Sequence, residues 1–126
     1  MKGASQERLF EVTNLDSGVV IARNVRLASD SDARRKGLLG LSAMDEDSGL
    51  WISPCEAVHT FGMKMAIDVL FIDRQNRVRK ISRALPPNRI ALSLVSAFVV
   101  ELPAGRAGVT ETKVGDQLAF RPQCQE

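Results

Sequence analysis

Histidine occurs once in this chain, at position 59, and cysteine twice, at positions 55 and 124. Two cysteines are too few for a disulfide scaffold, and two reduced thiols are the simpler reading. Cys124 falls in the polar tail "RPQCQE", where a chain end frays. No apolar run approaches the ~20 residues that a membrane helix needs, so no membrane contact is expected. The opening "MKGASQERLFEV" lacks the apolar core of a signal peptide. Nothing in it directs export, and a cytoplasmic location is the expectation. An excess of one charge is also missing. Seventeen basic and 15 acidic residues leave a net charge of +2, which exerts no general pull on nucleic acid or anionic lipid. "AGRAG" at 104–108 contains glycine but lacks the Gly-Lys-Ser/Thr ending and the following helix of a phosphate-binding loop. It reads as turn chemistry.

What is present is an ordinary globular composition, 44% hydrophobic and 25% charged over 126 residues. That length suits one domain with one hydrophobic core. There is no repeat, low-complexity block or linker, so residues 1–126 are read as a single domain. "ERLFEVTN" and "GVVIARNVRLA" read as strands joined by Asp16-Ser17-Gly18 turn chemistry. In the second, Val19, Ile21, Arg23 and Val25 share one side. "SDSDARRKG" carries cap-type residues, then helix formers, and Gly37 and Gly40 limit the helix to about Asp32 to Lys36. Phe61, Met63, Met65, Ile67, Val69 and Phe71 are apolar at consecutive odd positions, a period of two that predicts two strands or one bent strand. "DRQN" reads as a turn and "RVRKIS" as its returning strand. "ALPPNRIAL" reads as a loop because of its two prolines. "SAFVVELPAG" and the end of "KVGDQLAF" supply two more strands. The expected fold is therefore mostly β, a compact β-sandwich or closed β-barrel with one short helix. Its expected core contains Val19 or Val20, Leu38, Trp51, Phe61, Met63, Ile67, Val69, Phe71, Ile81, Phe98, Val100 and Leu118.

"RRKGLLGLSAM", "SGLWISPCEAVHTFGMKMAIDVLFID", "VVELPAG" and "VGDQLAF" together resemble the bacterial and archaeal family catalogued as domain of unknown function 192. The family's elements fall at Arg34 to Leu38, His59 to Met63, Ile67 to Asp73, Val100 to Gly105 and Gly115-Asp116, so the resemblance spans about residues 19 to 120. Ala66 stands where many relatives carry proline. The resemblance implies a compact β-rich fold and brings no activity with it.

Four chemistries are open to these residues. Cys55, His59 and Met63, with Met65 nearby, offer soft sulfur and imidazole donors suited to copper. An extended strand holds positions four apart at ~13 Å, however, so no metal site and no cofactor are expected. Cys55 and His59 could form the thiolate–imidazole pair of a hydrolase, with Asp68 or Glu101 orienting the ring, but no nucleophile motif surrounds Cys55. The basic run Arg74, Arg77, Arg79, Lys80, Arg83 and Arg89 contains no acidic residue and could meet phosphates. It lacks the aromatic side chains that stack on bases, and a charged edge strand accounts for it equally well. The fourth reading is a polar site without catalysis built from Arg34, His59, Thr60, Asp68 and Glu101, beside the alternative that these residues form a structural network fixing the helix against the sheet. A carboxylate within "AIDVLFI" or after "AFVV" is costly unless paired, so one of the two should pair with Arg34 or His59, or cap a backbone turn. The function expected is a non-catalytic accessory module binding an unidentified small molecule or protein near His59. A Cys55/His59 enzyme is the competing class.

Overall fold

The computed structural model describes residues 8–123, so Cys124 lies outside the described residues. Nine strands and two short helices follow one another: β1 (Leu9–Asn14), β2 (Val20–Ala28), α1 (Ser31–Lys36), β3 (Leu50–Ile52), β4 (Ala57–His59), β5 (Ile67–Ile72), β6 (Val78–Leu85), β7 (Ile90–Leu92), β8 (Phe98–Pro103), α2 (Arg106–Val109) and β9 (Leu118–Pro122). Seven strands form one sheet in the order β6-β5-β8-β3-β2-β1-β9, and β4 pairs with β7 in a separate two-stranded ribbon. Every neighbouring pair in the large sheet is antiparallel except β2 and β3. The sheet curls far enough for its two edges to meet at one end. An isolated bridge joins Arg77 to Gln117, and the Val78 amide donates to the Asp116 carbonyl at 2.9 Å. The result is a half-barrel.

Two apolar clusters, rather than one, sit on opposite faces of this sheet. The inner cluster contains Val12, Ile21, Val25, Leu70, Ile72 and Val100 among others, with Trp51, Phe10 and Phe120 packed against it. The outer cluster contains Leu38, Leu50, Val58, Ile67, Val69 and Phe71 among others, and it is closed over by the segments around α1 and the β4–β7 ribbon. Strand β5 is consequently buried at all six positions, including Asp68. The period-two stripe of Ile67, Val69 and Phe71 faces the outer cluster, while Leu70 and Ile72 face the inner one.

Several sequence expectations are corrected. The stripe from Phe61 to Phe71 is broken by turns between β4 and β5. Phe61 falls in that break and is 49% exposed rather than in the core. Val19 is exposed and Val20 only partly buried; Ile21 is the core residue there, because β1 and β2 change register along their length. Trp51 and Ile81 are partly buried. "AGRAG" holds the short helix α2, opened by Gly105 at φ 93°, and "ALPPNRIAL" contains β7. Neither proline of that loop lies in β7, so its ladder keeps its donors.

Candidate ligand-binding site

The cover over the outer cluster leaves a gap. A cavity of about 410 Å³ opens between the sheet and the segments above it. On the sheet side it is lined by Ile52 of β3 and Glu101 of β8; Arg34 to Leu39, Pro54 to His59 and Met63 complete the lining.

Helix α1 is placed by its sequence. The Asp30 side chain accepts from the Ala33 amide at 2.7 Å, Asp32 stands in the first turn, and Arg34, Arg35 and Lys36 fill the last. Gly37 ends it at φ 46°, a backbone that side chains rarely adopt. A Cβ on Gly37 would stand 4.0 Å from Glu101 Oε1 and 3.7 Å from the Arg34 carbonyl. The glycine therefore stops the helix and keeps the wall beside the carboxyl bare. The Arg34 guanidinium donates to the Ser29 carbonyl.

Glu101 is the unusual member of the site. It is 4% exposed, it lines the cavity, and no described residue gives it a hydrogen bond or an ion pair. Burial with nothing to share the charge raises its pKa from 4.5 to about 7. Cys55 stands nearby, half-buried, with its thiol donating to the Ala57 carbonyl at 3.1 Å. Burial pushes the thiol pKa up; the Ala57 hydrogen bond opposes this, Glu101 adds to it and Arg34 opposes it. The thiol thus lies within the fields of both Glu101 and Arg34, which places the three groups around one space.

His59 ends β4. It is exposed, and its ring stacks on Phe61 with centroids 5.4 Å apart. Among the described residues no hydrogen bond joins Cys55 to His59. The thiol faces Ala57 and has a raised pKa, the opposite of an activated nucleophile. No group of three or more His, Cys, Asp and Glu side chains able to hold a metal ion occurs among the described residues, and Met63 is buried in the outer cluster.

Of the polar residues singled out from the sequence, Arg34, His59, Glu101 and Cys55 line one cavity, and Thr60 and Asp68 do not. The Thr60 hydroxyl donates to the Pro86 carbonyl at 2.6 Å and accepts from the Arg89 amide at 2.9 Å, which pins the loop before β7. Asp68 accepts from the Ala84 amide at 2.8 Å and the Ala107 amide at 2.9 Å, so it caps backbone rather than pairing with Arg34 or His59. The lining residues Gly37, Glu56 and Ile52 were not singled out. Gly37 limits the helix in the sequence pattern and lies within the family element Arg34 to Leu38, beside the candidate Arg34.

The basic run is largely occupied within the molecule. Arg77 donates to the Gly115 carbonyl, Arg79 pairs with Asp73 at 3.2 Å, Lys80 donates to the Leu92 carbonyl and lies over Phe71, and Arg83 donates to the Thr112 carbonyl.

Fold and site together define a small, mostly β domain with a polar cavity on the outer face of a curled sheet. The chain belongs to the family described as Uncharacterized ACR, domain of unknown function 192, whose model matches residues 12–120. It is similar to a UPF0127 protein of Thermococcus sibiricus, 26% identical over 110 residues, covering 83% of this chain and 71% of that protein. Two solved structures share the fold. A protein titled a putative transcription regulator from Sinorhizobium meliloti superposes with a TM-score of 0.79 at 23% identity, covering 95% of this chain and 98% of that one. A protein of unknown function from Novosphingobium aromaticivorans superposes with a TM-score of 0.76 at 20% identity, covering 94% and 89%. No helix among the described residues is long and apolar enough to cross a membrane.

Proposed function

We propose that this domain is a small-ligand-binding module whose site is the cavity between α1, the β4 segment and the outer face of the sheet. One observation carries the reading: a buried glutamate, with no partner among the described residues, opens onto a cavity of ligand size. A polar group removed from water without a partner costs stability. A ligand that supplies the missing hydrogen bond recovers that cost on binding, as the satisfied Asp68 has no means of doing. Apolar side chains Leu38, Ile52, Val58 and Met63 provide contact area, and Arg34 and Cys55 add polar groups at the walls.

The test is a fragment screen followed by methyl NMR. Fragments that bind should shift the methyl resonances of Leu38, Val58 and Met63 together, and Glu101→Ala should weaken them. A screen in which no fragment perturbs these three residues would end the proposal. Nucleic-acid binding, which the description of the Sinorhizobium protein as a transcription regulator would encourage, draws little from this surface, because most of the basic side chains it needs are bonded intramolecularly.

A further inference from the structure

Resting on the binding site proposed above, the charges around the cavity identify a class of ligand. Three basic side chains line it, Arg34, Arg35 and Lys36, all from the last turn of α1. The titratable groups facing them are Cys55 and Glu56 from the segment before β4, His59 from β4 and Glu101 from β8; Ile52, the lining residue of β3, carries no charge. Arg35 is shared with Asp32 at 3.2 Å on the exposed side of the helix. With Glu101 neutral, three basic groups face one acidic side chain, Glu56. Such a cavity repels an amine and draws an anion.

Glu101 sets what the anion must offer at the floor. A 4% exposed carboxyl with no donor or cation beside it is held more easily in the neutral form, which presents one O–H donor. A ligand carboxylate accepts that single donor with one oxygen and leaves the other for a guanidinium. A doubly charged phosphate would bring more charge to an apolar floor than one O–H can satisfy. We infer that the cavity takes a small monocarboxylate with a short apolar tail, one carboxylate oxygen accepting from the neutral Glu101 carboxyl and the other paired with Arg34. The tail lies among Leu38, Ile52, Val58 and Met63.

Binding is then coupled to a proton. The competent form of Glu101 is the protonated one, and with its pKa at about 7 that fraction falls as pH rises. Between pH 6 and pH 8 the protonated fraction drops about tenfold, and the affinity for a carboxylate drops with it. An amine would require the ionised form, and its affinity would rise over the same interval.

The experiment titrates the protein with three probes of one length, pentanoate, pentanamide and pentylamine, following the methyls of Leu38, Val58 and Met63 by NMR at pH 6 and pH 8. Pentanoate should bind most tightly and weaken about tenfold at pH 8. In Glu101→Gln, which still donates but does not titrate, pentanoate should bind with no such weakening, and Arg34→Met should lose at least tenfold while melting as a folded protein. His59→Gln should retain the full pH dependence, separating Glu101 from the imidazole that also lines the cavity. A preference for pentylamine or pentanamide, or tightening at pH 8, overturns the carboxylate inference and leaves the binding site standing. Pentanoate affinity that is unchanged in Arg34→Met, or a pH dependence that persists in Glu101→Gln, overturns it as well. Silence from all three probes at these methyls removes both the ligand class and the site.

Discussion

Replacing Asp68 by alanine tests whether a buried carboxylate is holding two remote pieces of backbone in place. Asp68 is 1% exposed, and its two oxygens accept from the Ala84 amide on β6 and the Ala107 amide in α2. Ala84 has a φ of 48°, a left-handed conformation that a residue with a side chain adopts only when its surroundings impose it. Asp68→Ala leaves both amides without an acceptor. An orphaned buried donor costs about 1–3 kcal/mol, and bonds to a charged acceptor lie toward the upper end. The Ala107 amide is fully buried and the Ala84 amide partly so, so the sum falls at about 3–5 kcal/mol. That is a large share of the ~5–15 kcal/mol by which domains are stable. Asp68→Asn keeps one oxygen and turns an N–H₂ toward the second amide, so it should cost about half as much. Urea denaturation followed by the fluorescence of Trp51, the only tryptophan, gives both values, with m unchanged if the unfolded state is unaffected. Hydrogen exchange at Ala84 and Ala107 should accelerate in parallel. A cost below about 1 kcal/mol for Asp68→Ala would show that these bonds contribute little and that water replaces the carboxylate.

Two further substitutions probe the cavity. Gly37→Ala forces a side chain into a φ of 46° and sets a methyl 4.0 Å from Glu101 Oε1; it should destabilise by about 1–2 kcal/mol in urea and reduce pentanoate-induced methyl shifts, and wild-type stability would refute the glycine's role. Glu101 has a folded pKa of about 7 against 4.5 when unfolded, so the folded state holds its proton longer and stability falls as pH climbs from 4.5 through 7. Glu101→Gln should remove that slope and exceed the wild type at pH 8 by a few kcal/mol; a variant no more stable than wild type at pH 8 refutes the buried, unpaired carboxyl.

The strands were readable because their signals are local. β-branched runs, the Asp16-Ser17-Gly18 turn and the Asn76 turn at φ 65° each report on a few neighbouring residues. α1 was readable through Asp30 and Gly37 for the same reason. What escaped depends on non-local packing. The inner and outer clusters share strands β5 and β8, so a strand buried on both faces looks like half of a simple alternation. Phe61 belongs to the stripe in sequence yet falls in the break before β5, where its ring meets His59 instead of the core. The site was half legible. Arg34, Cys55, His59 and Glu101 were named as candidates, but nothing in their spacing shows that Thr60 and Asp68 are spent on backbone while the others line a cavity. The basic run was visible as a run, and its intramolecular acceptors, the carbonyls of Leu92, Thr112 and Gly115, lie far along the chain.

Asp68 and Glu101 show how one sequence signal divides. Both are carboxylates inside apolar strands, and those strands are hydrogen-bonded neighbours. Asp68 pairs in register with Leu102, and Glu101 with Val69. Cross-strand partners share a face, so the single-residue offset sends the two carboxylates to opposite sides of the sheet. On the inner side Asp68 meets α2 and the positive-φ irregularity of β6 at Ala84, both of which have amides to give. On the outer side Glu101 meets the bare wall at Gly37 and the space beside Cys55, where no described group donates to it. The first carboxylate is consumed by folding and the second is left over. A fold that needed only structural carboxyls could place leucine at position 101 and gain apolar burial at no electrostatic cost. Retaining glutamate there lowers stability at neutral pH, and under the binding function proposed above a ligand in the cavity in front of it would recover that cost.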